Sequence, residues 1–293
     1  MHKDKTVLVF NPKSGRKRAK QISQKYLRMF SGPSMLELVY GESAAHTQEI
    51  LSNAISDAKY CIAVGGDGLM NLVLQEVVQK DICLFVHPAG TGNDFARTSF
   101  QKMSDLAKIV EAIGSNSYRH IDVIKVDLLD SSRYFGQVLS SGFDSYVNAR
   151  ANRIKYLPGS LKYILALLLE LPSFKPISYR FEIDGEVREI QAMMMVLANG
   201  ATYGGGMKIV PHADNSDGLI NLMVLHPVSK FELLKVFPKV FTGKHIEHPE
   251  IELLTCKEIQ IQSSAPIYAD GEYFGQGLFK ATVMPAALKI LEI

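Results

Sequence analysis

Cys61-Ile62-Ala63-Val64-Gly65-Gly66-Asp67-Gly68-Leu69-Met70-Asn71 runs from an apolar strand into a turn of three glycines around one acid, then into a helical pattern beginning near Asn71. Glycine permits positive φ and close backbone approach to a ligand. A buried strand that ends this way leaves its acid where ligands bind in open α/β sheets, outside the carboxyl ends of the strands. A plain turn rarely needs all three glycines. Asp67 is therefore read as the acid that holds a hydrated magnesium ion, since Mg²⁺ prefers few carboxylates, several waters and phosphate oxygens.

Outward from this stretch, strand-like and helix-like runs alternate: Val7 to Phe10 and Lys17 to Phe30, Leu36 to Tyr40 and Ala44 to Ala58, Ile82 to Val86 and Ser104 to Ile113. That alternation predicts a doubly wound, mostly parallel sheet with helices on both faces. Two further loops follow strands and carry polar groups. Asn11-Pro12-Lys13-Ser14-Gly15 offers a hydroxyl, a glycine and backbone N–H groups at the start of a helix, a setting that suits phosphate. Ala89-Gly90-Thr91-Gly92-Asn93-Asp94 combines glycines, a hydroxyl, an amide and an acid. Neither a Walker A sequence nor a G-x-G-x-x-G fingerprint occurs, which argues against a P-loop enzyme and a nicotinamide-dependent oxidoreductase.

From about Ile121 the pattern becomes strand after strand, interrupted by apolar helical stretches at Leu161 to Leu171 and Phe231 to Phe241. The prediction is an α/β domain over 1–122 followed by a β-sandwich-like domain over 123–285, with the last strand, 286–293, able to rejoin the first. A net charge of +2 over 293 residues gives no general attraction to nucleic acid. Cys61, Cys83 and Cys256 are scattered among apolar residues, as expected of buried thiols in a reducing cytoplasm. The longest apolar run, Tyr163 to Leu169, is far short of the roughly 20 residues that cross a bilayer, so a membrane could be met only at its surface. Arg150, Arg153 and Lys155 beside that run suit an anionic surface, although core packing explains the helix as well. The histidines show no metal-ligand spacing on a common helix face, which disfavours a zinc enzyme.

Taken together, Asn11 to Gly15, Gly65 to Gly68 and Gly90-Thr91-Gly92-Asn93-Asp94-Phe95-Ala96-Arg97 resemble the diacylglycerol kinase catalytic family, which includes sphingosine and ceramide kinases and is distantly related to NAD kinases. The resemblance continues through Gly142-Phe143-Asp144-Ser145, Gly204-Gly205-Gly206-Met207, Pro211, Ala213, Asp217-Gly218-Leu219 and Asp270-Gly271-Glu272. It implies ATP-dependent phosphorylation of a lipid hydroxyl in a cleft between a nucleotide domain and a lipid domain, with diacylglycerol the first choice of acceptor. It also implies ATP and Mg²⁺ as cofactors, a nucleotide site at Asn11, Pro12, Lys13, Ser14, Gly15, Gly66, Asp67, Gly68, Leu69, Met70, Asn71, Thr91, Gly92 and Asn93, and Asp122 in support of the metal's water network. A structural Mg²⁺ is implied near Asp214, Asp217 and the carbonyl of Leu219.

The family usually has Thr after the glycine turn. Leu69 stands there instead, at a cost of about 0.5–1.5 kcal/mol if an ordinary hydrogen bond is lost. The chain contains two Asp-Gly-Glu triplets. Asp184-Gly185-Glu186 reads as the turn of an exposed hairpin without chemistry. Asp270-Gly271-Glu272 lies amid Ile267, Tyr268, Ala269, Tyr273 and Phe274, an apolar setting that would suit a general base. Either Glu272 or Asp270 can fill that role. The expected localisation is cytoplasmic, with transient contact at the inner membrane surface and no nucleic-acid partner. A homodimer is permitted. A soluble acceptor such as NAD, and a non-catalytic nucleotide- or lipid-binding regulator, remain open alternatives.

Overall fold

The computed structural model describes residues 4–12, 14–30, 36–100, 105–154, 157 and 159–293. It divides into two compact units, Met1–Ile121 with Ala286–Ile293, and Asp122–Pro285.

Unit one contains β1 (Thr6–Phe10), α1 (Arg18–Met29), β2 (Leu36–Val39), α2 (Ala44–Ala54), β3 (Tyr60–Gly65), α3 (Asp67–Val77), β4 (Cys83–Pro88), α4 (Asp94–Ser99) and α5 (Leu106–Ser115). β1 pairs in parallel with β2 and β3, and β3 with β4. The chain therefore moves from β1 to one neighbour and returns to the other side, which makes the gap between β1 and β3 a topological switch point. Val7, Leu8, Val9 and Ile62 are fully buried, each worth about 1.5–3 kcal/mol relative to exposure, and β1 and β3 read as continuous apolar runs because helices cover both faces. α2 is started by Ser43, whose side chain accepts the His46 N–H at 3.2 Å, a cap worth about 1 kcal/mol.

The chain enters unit two within β5 (Tyr118–Asp127). It continues through β6 (Ser132–Phe135), β7 (Val138–Gly142), α6 (Phe143–Arg153), α7 (Gly159–Glu170), β8 (Ile177–Ile183), β9 (Glu186–Ala192), β10 (Met194–Ala198), β11 (Ile220–Leu225), α8 (Lys230–Val236), β12 (Ile251–Cys256), β13 (Glu258–Ala269) and β14 (Glu272–Leu291). β12, β11, β10 and β7 form an antiparallel run that reaches the end of β13. The beginning of β13 instead pairs with β8. A register shift between Ser263 and Pro266 lets this one strand serve both layers of a sandwich-like fold. Its alternating burial supplies Ile259, Ile261, Ile267 and Ala269 to the core, together with Phe135, Leu197, Leu222 and Phe279. In unit one, Lys289 and Ile290 of β14 pair in parallel with Cys83 and Leu84, so the terminal strand completes the first sheet.

One local detail differs from the sequence expectations. α3 begins at Asp67 rather than near Asn71, because Gly66 adopts an extended N-cap conformation and an acid in the first turn favours the helix dipole. Asp122 lies in the middle of β5. Gly136 and Gln137 separate β6 from β7.

Candidate active site

In unit one the three loops are tied to one another by backbone contacts. Asn11 N–H donates to Val64 O at 3.4 Å, Ser14 N–H to Asn11 O at 3.0 Å, and Ser14 Oγ to Ala89 O at 3.4 Å. Gly15 has φ 56°, and a Cβ there would stand 2.1 Å from Ala89 O. Gly90 presses backbone to backbone on the glycine turn: its Cβ would lie 2.5 Å from Gly66 Cα. Such packing leaves main-chain N–H groups unshielded by side chains, which suits phosphate oxygens.

Asp67 joins the second loop to the third. Its Oδ2 accepts the Asn93 N–H and its Oδ1 the Asp94 N–H, each at 2.9 Å. The Asn93 side chain closes its own turn, accepting from Gly90 N–H at 3.0 Å and donating to Gly90 O at 2.9 Å. Gly92 is required because a Cβ would meet Asp67 Oδ2 at 2.3 Å. Asp94, buried beside Asp67 and paired with Arg97 at 3.5 Å, is a second acid of this site that the sequence reading left without a role. Met70 and Asn71 are buried, and the Met70 N–H donates to Gly66 O at 3.1 Å. Leu69 packs over Gly65, where a Cβ would meet its Cδ2 at 2.6 Å. Pro12 is half-buried, and Gly68 and Thr91 are exposed at the loop surfaces. Lys13 lies outside the described residues.

In unit two, buried Asp122 donates its N–H to Asn215 O and accepts the Gly218 N–H on Oδ2, both at 2.7 Å. The adjoining loop is shaped by its own acids: Asp214 accepts from Ser216 N–H at 3.0 Å and Asp217 from Leu219 N–H at 2.9 Å. The Asp217 carboxyl is raised above the usual range by burial, then by the negative charges of Asp214 and Asp122. A cation would relieve that repulsion. Among the described residues no group of three or more His, Cys, Asp or Glu side chains could hold a metal, so a magnesium ion at Asp67 or at Asp217 would depend on backbone, water or phosphate oxygens.

The hairpin at Asp270-Gly271 is anchored by its acid. Asp270 Oδ2 accepts from Gly136 N–H at 2.8 Å, and Oδ1 from Gln137 N–H at 3.1 Å and Val138 N–H at 3.0 Å. The expected apolar setting does not enclose Glu272. Ile267, Ala269 and Phe274 are buried, whereas Glu272 is exposed: it is the first residue of β14, at the hairpin end, where its neighbours Gly271 and Tyr273 are exposed too. Arg133 lies close by: it donates to Tyr273 O at 2.7 Å and covers the Phe274 ring at 4.0 Å. Burial lowers its pKa, and the charge of Glu272 opposes that shift.

Unit two also holds a narrow apolar pocket with about 50 Å³ of interior space, lined by Phe143, Tyr163, Leu167, Met194, Phe237 and Val240 among others. Asp144, buried in its wall, accepts from Tyr163 Oη, from Tyr203 Oη at 2.8 Å and from Asn148 Nδ2 at 3.0 Å. Burial and the Asp144 charge hold the Tyr163 phenol well above its usual pKa. The only sequence signal for this cluster is the acid in Gly142-Phe143-Asp144-Ser145 after a buried strand. On α7, Leu161, Leu165, Leu168 and Leu169 are exposed.

Residues 5–126 match the diacylglycerol kinase catalytic domain, and residues 137–292 match the YegS C-terminal NAD kinase beta sandwich-like domain. A diacylglycerol kinase of Mycobacterium tuberculosis (strain CDC 1551 / Oshkosh) is 32% identical over 264 residues, covering 89% of this chain and 85% of that protein. The chain belongs to the diacylglycerol kinase family. A Bacillus subtilis (strain 168) diacylglycerol kinase is 27% identical over 277 residues, covering 92% of this chain and 89% of its own. The crystal structure of a diacylglycerol kinase from Bacillus anthracis str. Sterne superposes with a TM-score of 0.71 at 17% identity, covering 98% and 96% of the two chains, a likeness of fold. The protein is thus a kinase, with the α/β and β-sandwich-like architecture of its family. Among the described residues, no helix is long and apolar enough to cross a membrane.

Proposed function

We propose that this kinase transfers the γ-phosphoryl group of ATP to the hydroxyl of a membrane lipid, with diacylglycerol as the acceptor and phosphatidic acid as the product. The observation that carries the lipid reading is the match of residues 5–126 to the diacylglycerol kinase catalytic domain, and the apolar lining of the narrow pocket in unit two agrees with an acceptor that bears aliphatic chains. The names of the relatives favour diacylglycerol in particular.

The loops Asn11–Gly15, Gly65–Asn71 and Gly90–Asn93 cradle the triphosphate with backbone N–H groups. Asp67, with Asp94 beside it, is suited to hold a magnesium ion through its remaining lone pairs and water, and Mg²⁺ supplies charge neutralisation on the phosphates when bound. Asp122 orders the loop that leads to Asp217, through Asn215 O and the Gly218 N–H. Glu272 takes the proton of the attacking hydroxyl, because Asp270 already accepts three backbone N–H groups and serves to hold the hairpin. A structural magnesium ion at Asp214, Asp217 and Leu219 O would offset the repulsion on Asp217.

Contact with a membrane surface falls to the exposed leucines of α7 with Arg153 and Lys162. Arg150 adds less, since it is paired with Glu170 at 2.6 Å. The test is labelled ATP with diacylglycerol, phosphatidylglycerol and a sphingoid base in mixed micelles, with NAD in solution, and Asp67→Asn as the inactive control. Label in phosphatidic acid is expected. Label in NAD and in none of the lipids would replace this reading, and activity near wild type in Asp67→Asn would remove the nucleotide site from it.

A further inference from the structure

Three segments of unit two have been given parts in the reaction: Asp122, the loop Asp214 to Leu219, and the hairpin Asp270 to Glu272. A single buried amide connects them. Asn199, just after β10, has no solvent exposure. Its Nδ2 donates to Asp122 O and to Gly136 O, both at 2.9 Å, and its backbone N–H donates to Gln137 O at 2.8 Å. Gly136, Gln137 and Val138 are the residues whose N–H groups bind the Asp270 carboxylate. Asp122 in turn grips the metal-site loop through Asn215 O and Gly218 N–H. The next residue, Gly200, donates its N–H to Gln137 O at 3.1 Å, and a Cβ there would stand 2.2 Å from Gln137 Oε1, so the glycine lets the Gln137 side chain lie against it.

The two hydrogens of a carboxamide lie on one planar nitrogen, so the carbonyls they meet are held at a fixed angle and separation. An apolar residue of the same shape would leave both carbonyls without this donor in a buried site, the costly case for hydrogen bonds. We infer, on the reading of Asp122 and Asp270 to Glu272 given above, that Asn199 is a positioning residue of the kinase reaction. It touches no reactant. It sets the placement of Asp122 relative to the turn that anchors the Asp270 hairpin, and through Asp122 that of the loop at Asp217.

The test uses the full chain with Asn199→Ala and Asn199→Ser, and two readouts. The first is amide hydrogen exchange at Gly136, Gln137, Val138 and Gly218. The second is kcat and KM for ATP, with whichever acceptor the wild type phosphorylates. Asn199→Ala is expected to speed exchange at all four amides by about tenfold or more, the scale of a buried hydrogen bond left unmade. It should lower kcat by a similar factor while KM for ATP stays within about twofold, since only the positioning of reacting groups is lost. Serine keeps one donor and should restore part of both effects; if the alanine variant fails to fold, the serine variant carries the same readouts. Unchanged exchange at these amides overturns the inference whatever the acceptor proves to be. Faster exchange with wild-type kcat overturns its catalytic half, and a wild type that phosphorylates only NAD removes the lipid reading while leaving the inference to be decided on both readouts.

Discussion

The hairpins at Asp184-Gly185-Glu186 and Asp270-Gly271-Glu272 share a sequence and a turn. Asp184 and Gly185 have φ of 53° and 82°, Asp270 and Gly271 of 50° and 84°, the left-handed pair expected of a two-residue hairpin loop. What differs is the surroundings. Asp184, Gly185 and Glu186 are all exposed at the end of β8 and β9. Asp270 is half-buried and binds three successive N–H groups of Gly136 to Val138. The triplet therefore encodes a turn, and only a distant segment that presents donors to its acid can fix that turn in place for chemistry.

The largest stability difference should come from the acids. Asp270→Ala orphans three N–H groups and should destabilise unit two by roughly 3 kcal/mol, whereas Asp184→Ala should cost no more than about 0.5 kcal/mol, both read from urea unfolding. Equal costs would erase the distinction. The glycines test the part the hairpins share: Gly185→Ala and Gly271→Ala should each cost about 1–2 kcal/mol, because both have positive φ and neither Cβ would meet another atom within 4 Å. A much larger loss at Gly271 would show that crowding, and not the turn, sets the second hairpin apart.

A third Asp-Gly pair sharpens the comparison further. Asp217-Gly218 also turns the chain, with φ 72° at the glycine, but its acid is raised by burial and by neighbouring charges. A raised acid favours the folded state when protonated, so this contribution is present below the ordinary value near 3.8 and is lost as pH rises through the higher folded value. Near neutral pH without metal, Asp217→Asn should leave the melting temperature equal to wild type or slightly higher. Added Mg²⁺ should raise the melting temperature of wild type and not of the variant. A chelator that changes neither curve would leave the loop as a plain turn.

Much of this was legible before any coordinates. Continuous apolar runs such as Thr6 to Phe10 and Tyr60 to Val64, short, rich in β-branched and aromatic residues and followed by glycine-bearing loops, read as strands buried on both faces. α6 was not legible, since Asn148, Asn152 and two arginines hide its short buried face of Phe143, Val147 and Ala151. The polar clusters were the least visible. Asp144 meets Tyr203 across 59 positions, and Asn199 meets Asp122 and Gly136 across 77 and 63, separations at which no local pattern survives. The exposure of Glu272 was hidden for a related reason: apolar residues on both sides of a hairpin turn do not tell whether other segments cover the end of the hairpin, and here Gly271, Glu272 and Tyr273 stay exposed.

The most direct test of the account is single-turnover phosphoryl transfer, with ATP affinity measured in parallel, for Glu272→Gln and Glu186→Gln. Glu272→Gln should lose about 10²–10⁴-fold in rate with ATP affinity retained, and Glu186→Gln should match wild type in both. Wild-type turnover in Glu272→Gln, or a loss confined to Glu186→Gln, would contradict the assignment of the chemistry to the second hairpin.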